Sequence, residues 1–135
     1  MRRHTVASVF LLALVAAPIV AQDIEFPAGF DEPMPMHHDG RGLGEFHRAI
    51  TTASSEAQRF FDQGIQLMYA FDPNLAARSF REAWKLDPSC AMCYFGEAWA
   101  WGSYLNGPMT APDAPRAYAA IQKSLELSDS NASEI

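Results

Sequence analysis

An all-α fold of antiparallel helix hairpins, stacked as a repeat solenoid, is what this sequence predicts. Three observations carry it. Apolar residues recur at three- and four-residue steps through Phe60, Phe61, Gly64, Ile65, Leu67 and Met68, the period of an amphipathic helix. A second helical run, residues 75–86, follows the Asp72-Pro73 turn signal and stops before Pro88. Small and aromatic residues alternate between the two runs, with Gly64, Ala76 and Ala83 small and Phe60, Phe80 aromatic. Small residues let two helices approach, and the rings and Leu67 fill the space between them.

The elements follow in order. Residues 1–21 read as an address: Arg2 and Arg3, then an apolar stretch over 6–17, then Ile19-Val20-Ala21 as a small-residue cleavage site. The apolar run is shorter than the roughly 20 residues a membrane span needs. Cleavage after Ala21 removes two cations and no acid, taking the formal net charge from −6 to −8. A chain this acidic has no electrostatic reason to seek nucleic acid or an anionic membrane. It is expected to be exported, periplasmic or secreted.

Residues 22–44 read as a flexible arm, interrupted by Pro27, Pro33, Pro35 and four glycines. Phe26 and Phe30 are its aromatics, suited to pinning it onto a helical body. The helical domain is expected over 45–135, with Ser55 and Gln58 opening the first helix as a capping box. The first unit spans 57–90. A less regular second unit spans 91–130, with Tyr94, Ala98 and Trp101 in its first helix. Residues 102–115, holding Gly107, Pro108, Pro112 and Pro115, are expected to be a loop. A return helix over 116–127 then aligns Ala117, Ile121 and Ser124. Asn131-Ala132-Ser133 reads as a cap opening another helix, so the chain is expected to be the N-terminal piece of a longer solenoid, which needs roughly three repeats.

The 34-residue unit from Ala57 to Cys90 resembles the tetratricopeptide repeat, with Phe60, Gly64, Leu67, Ala76, Phe80, Ala83 and Pro88 at its signature offsets. More narrowly, residues 43–109 resemble exported bacterial tetratricopeptide-repeat proteins, through Phe61-Asp62-Gln63-Gly64, Tyr69-Ala70-Phe71, Arg78-Ser79-Phe80, Leu86-Asp87-Pro88 and Cys90-Ala91-Met92. One departure is Asp72-Pro73, where that family tends to carry Asn-His. The resemblance implies that the first helix of each unit lines a concave groove. Here that groove would hold Gln58, Phe61, Ile65 and Met68, then Met92, Phe95, Trp99 and Gly102. Relatives that clamp a terminal carboxylate carry Lys and Asn where this chain has Phe61, Ile65, Phe95 and Trp99, so such a clamp is excluded. The groove residues Phe61, Ile65, Met68, Met92, Phe95 and Trp99 suit an apolar helix or extended segment of a protein partner, or the protein's own further repeats.

Two other clusters bear chemistry. Cys90-Ala91-Met92-Cys93 opens a helix, where the dipole lowers a thiol pKa. It suits a disulfide in an oxidising compartment, or two buried thiols. Tyr94 in place of His excludes c-type haem attachment, and no further ligands are spaced for zinc. Met34, Met36, His37 and His38 offer thioethers and imidazoles of the kind copper takes, without the outer-shell support metal sites need. Asp62, Glu82, Asp87 and Glu97 fall at positions expected to face solvent. No catalytic residues and no cofactor are assigned, and a non-enzymatic interaction scaffold is the expected function. The rival is a periplasmic thiol-redox or copper-binding protein.

Overall fold

The computed structural model describes residues 23–37 and 42–128. Within them the fold is all-helical: α1 (Ser55–Tyr69), α2 (Pro73–Leu86), α3 (Ala91–Trp101) and α4 (Asp113–Ser128), with no strand. The expected address segment and His38 lie outside the described residues. Each helix packs on the one before it, and α1 touches α3 lightly. Connections of three and four residues join α1 to α2 and α2 to α3, so these neighbours run antiparallel.

The cap of α1 lies one residue earlier than expected. Ser54, in an extended conformation, accepts the Ala57 N–H at 3.1 Å through Oγ. Gln58 is not its capping-box partner, because its amide is committed to the backbone of Ile50 and Arg48. Helix α2 also starts early: Asp72 caps it by accepting the Leu75 N–H at 3.1 Å, with Pro73 at the first helical position. Helix α4 begins at Asp113 rather than Arg116, which shortens the preceding loop to 102–112. Pro115 falls in the first turn, where its missing N–H removes no helical bond.

Between α1 and α2 the chain makes a Schellman-type closure, with Asp72 N–H donating to Leu67 O at 3.0 Å and Phe71 N–H to Met68 O at 3.2 Å. The residue in the left-handed conformation is Phe71, at φ 62°. Glycine is the usual occupant of that place.

The centre of the core is Phe80. A Cβ on Gly64 of α1 would come within 2.6 Å of its ring, and one on Gly96 of α3 within 2.3 Å. The ring of α2 is therefore gripped between two glycines of the flanking helices. Phe61 closes the remaining side, its centroid 5.5 Å from that of Phe80. Ala76, Ala77 and Ala83 complete the close approach, all fully buried.

The arm lies packed along this body. Phe26 and Phe30 stack at 4.9 Å, and Phe30 sits 5.0 Å from Trp101. Phe30 and Met34 are both buried in the main core. Body side chains hold the arm's backbone at intervals. Arg116 Nε donates to Glu25 O at 2.6 Å, Arg78 Nη2 to Glu32 O at 3.1 Å, and Gln63 Nε2 to Pro35 O at 3.0 Å. Residues 23–37 thus cross from α4 by way of α2 to α1, strapping the helices together.

Candidate interaction face

Helices α1 and α3 bring the six sequence-predicted groove residues together, and the structure divides them into floor and rim. Phe61, Ile65, Met68 and Met92 are buried. Phe95 stays exposed and Trp99 half-buried, the latter edge-on to Tyr69 at 6.4 Å. Gln58 is turned to the 48–50 backbone. Gly102 caps α3.

Three adjoining depressions open around Trp99, which lines all of them. One of about 230 Å³ lies between α1 and α3, over Phe61, Ile65 and Met92, with Phe46 and Arg48 at its edge. A second, about 470 Å³, is bounded by Met68, Phe71, Tyr104 and Leu105. A third, about 450 Å³, runs to Met109, Tyr118 and Ile121 beside α4. The apolar side chains around them are unusually open to water: Tyr69 is 74 % exposed, Phe71 55 %, Leu105 88 % and Tyr118 65 %. Isolated exposed apolar residues are ordinary; here they adjoin one another around the three depressions.

Local structure explains how the rim is presented. The Schellman turn projects Phe71 at the cost of a left-handed backbone, about 1–2 kcal/mol for a residue with a Cβ. Tyr104 and Gly107 exchange backbone hydrogen bonds at 3.0 and 3.2 Å, forming a tight reversal that carries Leu105 at its tip. Periodicity could not reveal Phe46, Arg48, Tyr69, Phe71, Tyr104, Leu105, Met109 or Tyr118, because most stand in turns or extended chain. Apart from Arg48, their one visible signal is composition, large apolar residues where connections are normally polar.

Two carboxylates expected at the surface are buried instead. Asp62 accepts from His47 Nδ1 or pairs with it at 2.8 Å, and from Arg48 N–H at 3.0 Å and Gln58 Nε2 at 3.1 Å. Glu97, on the opposite side of α3 from the groove ladder, accepts from Arg81 Nη1 at 2.9 Å, Trp84 Nε1 at 2.5 Å and Trp101 Nε1 at 3.4 Å. Such partners are what make a buried carboxylate tolerable. Arg81 is itself held under the Phe26 ring at 4.3 Å and paired with Asp31 at 2.9 Å. Asp87 remains partly exposed, and hydrogen bonds from Ser89 and then Thr52 hold its carboxyl below the ordinary range. Burial against Trp84 pushes the Tyr94 hydroxyl up.

The other two clusters are placed as follows. Cys90 caps α3 and forms a disulfide with Cys93 across a Cα–Cα distance of 5.4 Å, both residues fully buried. Thiol exchange needs an attacking thiolate to reach a sulfur, and this pair offers no exposed one. Met34 is buried in the apolar core, Met36 is partly buried, and His37 donates its backbone N–H to Gln63. Among the described residues no three His, Cys, Asp or Glu side chains converge as metal ligands, and no helix is long and apolar enough to cross a membrane.

Comparison with protein-family models, curated proteins and solved structures finds no match to this chain. What the chain can do is therefore read from the geometry above.

Proposed function

We propose that this protein is an exported, non-catalytic helical-repeat module of the tetratricopeptide type, which binds an apolar segment of a partner protein on the face centred at Trp99. One observation carries the reading: three apolar depressions share that indole and are ringed by aromatic and aliphatic side chains left open to solvent. Buried aromatic anchors in preformed pockets are what give protein interfaces most of their affinity. The hairpin order of α1 to α4 and the agreement of residues 57–90 with the repeat pattern support the family reading. The basic and apolar N-terminal residues support export.

Selection of short random peptides by the mature chain tests the function. Selected peptides are expected to lose at least tenfold in affinity on Trp99→Asp and on Leu105→Asp. Leu105 is almost fully exposed, so its replacement leaves the fold intact, as far-ultraviolet circular dichroism would verify. Peptides indifferent to both variants would overturn the reading.

A further inference from the structure

Among the described residues, every charged side chain but one is absent from the walls of these three depressions. The exception is Arg48, at the edge of the cleft over Phe61, Ile65 and Met92. Four of the described cations are paired with acids, while Arg78 donates to the Glu32 backbone carbonyl. Arg81 pairs with Asp31 and Glu97, Lys85 with Glu82, Arg116 with Asp113 and Lys123 with Glu126. The Arg48 guanidinium makes no ion pair among the described residues.

The backbone of Arg48 is hydrogen-bonded on both sides although its side chain is exposed. Its N–H donates to Asp62 Oδ1 at 3.0 Å, and its carbonyl accepts from Gln58 Nε2 at 2.8 Å. The same buried Asp62 holds His47, one residue earlier, through Oδ2. A buried carboxylate and a glutamine on α1 thus fix both backbone polar groups of the residue that brings the lone cation to the cleft. Pre-set positioning of this sort lowers the ordering cost of binding.

Resting on the interaction face proposed above, the geometry points to its occupant: an apolar, aromatic-bearing peptide segment of a partner protein that carries an Asp or Glu side chain, paired with Arg48. The apolar part fills the depressions around Trp99. The carboxylate meets the guanidinium, whose fork matches two oxygens bidentately. The acidity of the whole chain does not forbid this. At physiological ionic strength the screening length is roughly 8 Å, so a carboxylate in contact with Arg48 responds chiefly to that charge. The recognition differs from a clamp on a chain-terminal carboxylate, because the acid is internal to the segment.

The experiment displays random peptides with their C-termini fused to the carrier, so no free terminal carboxylate is available. Peptides are selected on the mature chain and on Arg48→Glu. Enrichment of one Asp or Glu among aromatic residues is expected on the mature chain, and of Lys or Arg on Arg48→Glu. Synthetic copies of one selected peptide, with the acid or with its amide, are then titrated at physiological salt. The acid should bind about threefold more tightly, the range of an exposed ion pair, and Arg48→Ala should erase that ratio while Trp99-dependent binding persists. Peptides that need Trp99 and Leu105 but show no acid preference would overturn this inference and leave the interaction face standing. Peptides that need neither would overturn both. A chain that self-associates through Leu105 in sedimentation, and takes no peptide, would replace the partner segment by a second copy.

Discussion

Phe80 shows how much of the fold rests on missing atoms. Its ring occupies space that a Cβ on Gly64 or Gly96 would enter at 2.6 and 2.3 Å. Alanine improves intrinsic helix propensity by about 1 kcal/mol, but overpacking a fully buried ring costs about 1–3 kcal/mol or more. At overlaps this deep the clash wins. Gly64→Ala and Gly96→Ala are expected to lower stability by about 1–2 kcal/mol net, measured by urea unfolding. Phe71 is the opposite case. Its left-handed backbone costs about 1–2 kcal/mol, which glycine would relieve at an entropic cost of about 0.5–1 kcal/mol. Phe71→Gly is therefore expected to raise stability by about 0.5 kcal/mol and to weaken peptide binding. A variant both less stable and equally competent in binding would contradict the role given to that ring. The disulfide closes a very short loop, where cross-linking constrains the unfolded chain least. Replacing both Cys90 and Cys93 by Ala is expected to leave peptide affinity unchanged.

At the scale of elements, the helices were legible in the sequence and the arm only in part. Helix period, Asp72-Pro73 and Pro88 announced α1 and α2 because local pattern and tertiary packing agree there. The start of α1 slipped by a residue because Ser54 and Ser55 are equivalent caps until the backbone picks one. Proline misled the reading of α4, since Pro115 breaks a helix interior but not a first turn. The arm has no period to betray its docking, which depends on groups from separate places: the stacked Phe26 and Phe30, Trp101 beside them, and the Arg81 guanidinium over both phenyl rings. Phe30→Ala is expected to cost about 3 kcal/mol in unfolding, an outcome a loose tether would not give. The buried Glu97 was illegible for a similar reason, its donors coming from α2 and α3 together. A pH dependence belongs to this scale as well. Asp87 ties the α2 terminus to Thr52 and Ala53, ahead of α1, and its carboxyl titrates below the ordinary range. A depressed carboxylate contributes stability above its unfolded-state pKa and loses it as pH falls through its folded pKa. Wild type should accordingly be more stable than Asp87→Asn at neutral pH, with the gap closing under acid, in thermal melts across that range.

The whole molecule has two unlike sides. On one, the strap, Arg81 and the buried Glu97 close the helical stack with rings and paired charges. On the other, α1 and α3 leave Phe95 and Trp99 accessible, and the two turns carry Phe71 and Leu105 out to the same face. The six groove residues could be named from sequence because the resemblance to the repeat assigns the groove to the first helix of each unit. How deep each sits could not, since Phe61 is buried by Phe80 from a different helix while Phe95 has no such cover. The turn residues that widen the face follow no period at all. The measurement that tests the central claim most directly is calorimetric titration of a selected peptide into wild type and into Leu105→Asp combined with Trp99→Asp, each first shown to melt cooperatively. Binding to wild type with a negative heat-capacity change, lost in the double variant, is the expected result. Equal affinity for both folded proteins would contradict the face centred on Trp99.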